Sequence, residues 1–290
     1  MAKTTTRRAA PALACEIGSQ FVAGGRLASG MLATHSVRRL PAGAVTPGLT
    51  GTNITQPDAV RRAVSEVLSA VGGGGKRDVI TVLPDAAVRV LLLDFDTLPD
   101  NRDEATAIIR FRLKKSLPFD VEHAAVSFDR MPSTTGVRTV VALSPANVVG
   151  EYELVIRDAG YEPGVVLPSV LGALGIVDAD RAAMLVKVDF ETTSIALTDA
   201  SGLRLLRTIE HPNGISVPDE LTNAVHTSLI FYEDSTGNRV SRVFVTGSNA
   251  DSSVTSRLAA ENEVPVEALS TGASGADGPI LAAVEGALAQ

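Results

Sequence analysis

The sequence predicts an α/β protein made of two copies of one unit, with a smaller module inserted into the first copy. The unit is three strands, a helix and a further strand. Three observations carry this reading. Apolar runs separated by short turns occur as strand-strand-strand-helix-strand at 12–83 and again at 183–245. Each copy opens on a strand that ends in an acid, Glu16 in one and Asp189 in the other. Between the copies lies a stretch with its own alternation of strands and helices, bounded by Pro84 and Gly160.

In chain order, residues 1–10 read as a loose polar tail. Ala12–Ile17, Phe21–Ala28 and Met31–Leu40 are strands joined by Gly18-Ser19 and Ser29-Gly30 turns. Pro41–Asn53 is rich in Gly, Pro and Thr and reads as a loop. Pro57–Val71 is a helix with Val60, Val64, Val67 and Leu68 on one face, and Gly72–Gly75 end it. Val79–Leu83 is an apolar strand stopped by Pro84-Asp85. Val88–Phe95 has the composition of a buried strand. Leu98-Pro99-Asp100-Asn101 then breaks the chain and supplies caps for a helix over 102–117, which Pro118 terminates. Asp103 and Glu104 in its first turn and Lys114 and Lys115 in its last match the helix dipole.

Ala105, Ile108, Ile109 and Leu113 form one apolar arc of that helix, and Arg112 falls inside it. Its long stem suits a snorkelling position near a helix end; an ion pair or a contact with a partner is the sharper alternative. Ala124–Arg130, Val137–Leu143 and the helix Ala146–Ala159 complete a β-α-β-β-α module. Tyr161–Leu167 resumes the first copy, and a helix over 168–176 leads into the second. There Ala183–Phe190, Thr193–Thr198 and Leu203–Glu210 are strands, Ser216–Tyr232 a helix and Val240–Val245 a strand ending in Thr246-Gly247. A helix over 252–261, a short strand over 265–269 and a terminal helix over 279–289 follow, with a Gly/Ala/Ser loop at 271–278. The domain division expected is therefore 11–83 plus 161–180 as a first lobe, 84–160 as the inserted module and 181–290 as a second lobe.

Composition narrows the function. A chain of 290 residues with 45% hydrophobic content can bury a sizeable core. A net charge of −7 argues against a nucleic-acid binder, and 4% aromatic residues with no Trp leave little to stack single-stranded bases. The single cysteine, Cys15, lies in an apolar run and reads as a small buried side chain. The N-terminal MAKTTTRRAAPALA has basic residues but no apolar core of signal-peptide length. Val165–Val177, the longest apolar stretch, is interrupted by Pro168, Ser169 and Gly175, so no direct membrane span is expected.

Three antiparallel strands, a helix and a parallel strand form the core of the ribonuclease H-like architecture; doubled, they form that of actin-like and sugar-kinase-like ATPases. The residues then carry a closer resemblance. Leu83-Pro84, Val88–Phe95, Leu98-Pro99, Ile108, Leu117-Pro118-Phe119-Asp120 and Val126-Ser127-Phe128-Asp129 match the run found in PilM, the actin-like component of the type IV pilus assembly platform. The first-strand motif appears as Glu16-Ile17-Gly18-Ser19. The resemblance implies a second phosphate motif at Asp189-Phe190-Glu191-Thr192-Thr193 and nucleoside-side glycines at Gly247-Ser248. The candidate nucleotide positions are then Gly18, Ser19, Asp189, Thr192, Gly247 and Ser248. PilM-like proteins bind the N-terminal tail of PilN, an inner-membrane protein, in a groove between the first lobe and the inserted module. That implies a cytoplasmic protein held at the inner membrane through its partner, with contact to other platform subunits and a candidate surface at Ile108, Phe111, Arg112 and Lys115.

Three departures from the family pattern stand out. Only one helix and short loops fit between Glu210 and Val240, so the second-lobe insertion of PilM-like proteins is reduced, and Arg112 stands where the family has a glutamate. Glu191 stands where a phosphate-binding turn wants glycine. A carboxylate a few ångström from phosphate is repulsive by several kcal/mol at low effective dielectric, and by about one in bulk water. Asp189 with Glu191 offers Mg²⁺ two carboxylates, but no neighbouring basic or hydroxyl group is evident in the sequence. The expectation is an adaptor with no catalytic and no metal-binding residues, a degenerate ATPase fold; an ATP- and Mg-binding switch, or a GspL-like scaffold of type II secretion, are the alternatives. Other motifs fail: Gly72–Gly75 before Lys76 has the wrong helix-strand order for a P-loop, and His35, His123, His211 and His226 have no ligand spacing. No nucleophile elbow surrounds a serine; Ser19 and Ser144 read as turn residues.

Overall fold

The computed structural model describes residues 11–72, 77–133, 135–178, 180–211, 218–273 and 275–290. The N-terminal tail, most of the Gly72–Gly75 run with Lys76, and the expected helix start at Ser216 lie outside the described residues. Two five-stranded sheets have the same order. In the first, β3 (Met31–Arg39), β2 (Phe21–Ala28) and β1 (Leu13–Ile17) are antiparallel, and β4 (Asp78–Leu83) and β8 (Glu162–Pro168) continue in parallel with β1. In the second, β11 (Gly202–Glu210), β10 (Thr192–Asp199), β9 (Ala183–Val188), β12 (Arg242–Thr246) and β13 (Val266–Ala268) repeat that arrangement. The register slips at Arg26/Leu27 in β2 and at Leu197/Thr198 in β10, the same place in each strand. A bulge at equivalent positions supports the duplication at a level of detail that apolar patterning does not reach.

Strand alternation places the helices. In the first sheet Leu13, Cys15, Ile17, Val79 and Leu83 face helices α1 (Pro57–Val71) and α3 (Ala146–Asp158). Ala14, Ile80 and Val82 face the opposite way, onto α4 (Ser169–Leu174) and α7 (Gly278–Ala289). Ala183, Leu185 and Ala196 of the second sheet meet the same two helices from the other side. The outer face of that sheet, with Met184, Val186 and Val188, is covered from α5 (Pro218–Thr236) and α6 (Ser252–Glu261). The layers therefore run helix, sheet, helix pair, sheet, helix. Cys15 is fully buried, and burial pushes its thiol well above its ordinary pKa.

The inserted sheet has the order β5 (Arg89–Phe95), β7 (Val137–Pro145), β6 (Ala124–Met131), all antiparallel, with α2 (Arg102–Leu113) on one face. Asn101 caps α2 as expected, accepting from the amides of Asp103 and Glu104 at 2.9 and 3.2 Å. The helix ends at Leu113 rather than at 117, because Leu113 is its last buried residue and the Ser116 amide turns back onto the Leu113 carbonyl. Its buried face is Ala105, Ile109 and Leu113; Ile108, expected in that arc, is 39% exposed. α3, grouped with the module from sequence, instead packs Val148, Tyr152, Val155 and Ile156 into the core of the first sheet.

The helix pair between the sheets depends on small residues. α4 and α7 cross at Gly172, Gly175 and Gly286, where an added Cβ on Gly172 would lie 2.7 Å from the Ala283 carbonyl oxygen. A Cβ on Gly286 would fall on the Gly172 carbonyl. Gly286→Ala is therefore expected to cost about 2 kcal/mol and lower the melting temperature by roughly 5 °C. Gly150→Ala in α3, where a Cβ meets nothing within 4 Å, is the matched control and should raise stability slightly. Thermal melting of both variants checks this.

Candidate functional site

The C-terminal ends of β1, β4 and β9 converge between the two sheets, and alternation aims charged side chains into that space. On β1 the inward positions are Ala14 and Glu16; on β9 they are Ala183, Leu185 and Lys187. Glu16 and Lys187 are thus the last inward residues of the two central strands, and both are almost wholly buried, at 2% and 3% exposure. The Lys187 ammonium contacts Asp189 Oδ2 and lies 3.7 Å from Glu16 Oε1. The Ser169 hydroxyl at the start of α4 donates to Glu16 Oε1, whereas Glu16 Oε2 has no protein partner.

Asp85, just past β4, is a second buried acid beside Glu16. Its two oxygens accept from the Val170 amide at 2.9 Å and the Ser194 hydroxyl at 2.8 Å, tying the first lobe's α4 to strand β10 of the second. Burial raises the carboxyl of Asp85, against the pull of Lys187. Burial likewise raises Glu16, to about 7, with Lys187 opposing and Asp189 reinforcing the shift. One ammonium beside the buried Glu16 and Asp85 carboxyls and the partly buried Asp189 leaves an excess of negative charge, so a proton on Glu16 is the physical remedy.

The six candidate nucleotide positions gather around this cluster. Gly18 and Ser19 form the β1–β2 turn, Asp189 and Thr192 the β9–β10 turn, and Gly247 and Ser248 follow β12. The Ser248 amide donates to Asp189 Oδ1 at 2.9 Å, and the Ser19 hydroxyl reaches Glu191, whose carboxyl is raised by burial. Part of the backbone at these turns is engaged within the protein. The Gly18 amide donates to Phe21 O at 2.9 Å, the Asp189 amide to Thr192 O at 2.8 Å, and the His211 amide to Glu191 O at 2.7 Å.

Both glycines are explained by packing. A Cβ on Gly18 would lie 2.8 Å from the Phe21 ring, and Gly247, at φ 112°, abuts the Val188 backbone. With the Lys187 ammonium already among the acids and Glu191 adding a carboxyl at the β9–β10 turn, the residues as placed do not fit a magnesium–phosphate group. Among the described residues, no group of three or more His, Cys, Asp and Glu side chains is arranged to hold a metal ion. Sequence reasoning missed Lys187, Asp85, Ser169 and Ser194, and found no basic or hydroxyl neighbour for Asp189. The signal was present in MLVKV, a buried strand whose inward alternate position is a lysine.

The candidate partner residues divide. Phe111 is 83% exposed, and Ile108 and Lys115 also face outward on or just after α2. Arg112 turns back to its own module: it donates to Asp94 O at 2.7 Å, with its guanidinium 5.0 Å from the Phe95 ring centroid. On the module's other side, an apolar groove with a cavity of about 130 Å³ runs between β6 and β8, lined by Leu83, Ala125, Ser127, Ala142, Val149 and Val166. Val126 and Phe128 point to α2, so Ala125 and Ser127, alternating with them, face the groove. Both β6 and β8 are edge strands of their sheets. Among the described residues no helix is long and apolar enough to cross a membrane.

No protein-family model matches the chain, and neither does any curated protein. Among solved structures it is similar to one titled as the PilM–PilN type IV pilus biogenesis complex, at 18% identity and a TM-score of 0.80, covering 96% of this chain and 97% of that one. It is also similar to the cytoplasmic domain of EpsL, an inner-membrane component of the type II secretion system of Vibrio cholerae (10% identity, TM-score 0.54, 96% and 94% covered). A third is a Bacteroides thetaiotaomicron protein with an actin-like ATPase fold and unknown function (8% identity, TM-score 0.53, 88% and 89% covered). The fold is therefore the actin-like ATPase fold, and the resemblance carried by the motifs extends to the architecture of the whole chain.

The Glu16 carboxyl gives a pH signature. Its folded pKa, about 7, lies above its ordinary 4.5, so the folded state holds the extra proton. Stability from this group is complete below pH 4.5 and is lost as pH rises through about 7. Over that interval the wild type is expected to lose on the order of 3 kcal/mol relative to Glu16→Gln, whose amide carries no titrating proton. Urea unfolding at stepped pH measures the difference.

Proposed function

We propose that this chain is a non-catalytic adaptor of a type IV pilus inner-membrane assembly platform, which holds the short cytoplasmic N-terminal tail of a PilN-like membrane protein. The observation that carries it is the likeness to the PilM–PilN complex over almost the full length of both chains. The groove between β6 and β8 supports the reading physically. It is apolar, lies between the first lobe and the inserted module, and is flanked by two edge strands whose free backbone groups suit an extended peptide. The outward face of α2, with Ile108, Phe111 and Lys115, is a second contact surface for the tail or for another platform subunit. Arg112 acts within the module, fixing α2 to β5.

In this reading the protein sits in the cytoplasm, at the inner membrane through its partner, and hydrolyses nothing. The engaged amides around Asp189 and the buried Lys187 support that part. The likeness to the EpsL cytoplasmic domain favours, as a second reading, the same scaffold role in type II secretion. A nucleotide switch on the same fold would show as binding heat from Mg·ATP that Gly18→Asp abolishes.

Titration with a PilN-type N-terminal peptide from the same genome tests the adaptor. Saturable binding is expected, weakened about tenfold or more by Ala125→Arg, which places a bulky charge in the groove without touching the core. Phe111→Ser should leave peptide affinity within about twofold if the tail lies in the groove alone. No binding at high micromolar peptide would sink the reading.

A further inference from the structure

The buried cluster between the lobes departs from the group that actin-like ATPases hold there, and the departure has a positive content. An Mg²⁺ ion needs near-octahedral oxygen ligation and retains several waters. Here a single ammonium stands among Glu16, Asp85 and Asp189, in a space closed by Ser169 and Ser194. The ammonium comes from β9 of the second lobe, whereas Glu16 belongs to the first and Asp85 to the turn that opens the inserted module. The Asp85–Ser194 bond ties that turn to the second lobe as well.

We infer that Lys187 is a built-in substitute for the divalent cation, clamping the two lobes in one arrangement without metal or nucleotide. This rests on the non-catalytic part of the proposed function and is independent of where the peptide binds. A tethered cation cannot be removed by chelation or exchanged, so the lobes have no ligand-dependent open state. The physical cost is the desolvation of a lysine, met by one direct carboxylate contact and a second carboxyl close by. Removing the lysine leaves Glu16, Asp85 and the partly buried Asp189 with no cation among them, and their repulsion is relieved if they rearrange around a free divalent cation.

The test is thermal melting and small-angle scattering of the full chain, with and without Mg²⁺ and Mg·ATP. The wild type is expected to keep its melting temperature within about 1 °C and its radius of gyration unchanged under every condition. Lys187→Ala should melt about 10 °C lower and recover at least 2 °C in millimolar Mg²⁺, because the vacated acids now take the ion. Lys187→Met combined with Asp189→Asn, which removes one charge of each sign, should melt closer to the wild type than Lys187→Ala does. A wild type that Mg·ATP stabilises or compacts overturns the inference, as does a Lys187→Ala variant indifferent to Mg²⁺. If the single variant does not fold, the wild-type and double-variant results decide. Peptide titration of the same samples separates this outcome from failure of the adaptor reading.

Discussion

A buried lysine facing a buried glutamate across two sheets is the constraint around which this molecule is arranged. Alternation along two central strands forces the meeting, since Glu16 and Lys187 each occupy the last inward place of an otherwise apolar row. Neither side chain is tolerable there alone. An isolated buried charge costs several kcal/mol, whereas a paired one is held by the attraction of its counterpart. The pair therefore fixes how the second sheet sits relative to the first, and Asp85 reinforces the setting by bonding to both α4 and β10.

The two halves share one core as well as one charge cluster. Ala14, Ile80 and Val82 from the first sheet and Ala183, Leu185 and Ala196 from the second bury against the same pair of helices. Those helices cross through glycine, which brings backbone against backbone and leaves little room to slide. A layer of small residues between two sheets and a polar tie at its edge act together. Packing sets the separation, and the polar cluster around Lys187 sets the relative position.

Much of the fold was legible in the sequence because it rests on period and punctuation. The two β-β-β-α-β runs and the capping Asn101 are local signals, and the structure reproduces the elements they mark, whereas α2 ends at Leu113, before the Pro118 stop. What local signals could not give was allegiance. Ala146–Asp158 follows the inserted strands in the chain and so reads as part of the module, yet Tyr152 and Ile156 pack on the first sheet. The same limit applied to the site. Gly18, Ser19, Asp189, Thr192, Gly247 and Ser248 do gather at the strand ends, but whether a backbone amide is free for a ligand depends on its neighbours in space. Arg112 shows it again: its helix position is consistent with a partner contact, and only the Asp94 carbonyl and the Phe95 ring reveal where it points.

The placement of α7 bears on how the chain is made. It comes after every strand of the second lobe, yet it lies against β1 and β2, with Val284 packed beside Gly25. During synthesis the first lobe therefore leaves the ribosome with one face of its sheet bare and waits for the last helix to cover it. Contacts of such long sequence separation form slowly, and an exposed apolar face is a hazard meanwhile. That face carries Phe21, Leu32 and Ile80 beside Ala14, Ala23 and Gly25, so a substantial apolar surface stays open until α7 arrives. Completion of the first lobe is therefore tied to the synthesis of the second, and the two halves reach their final packing together.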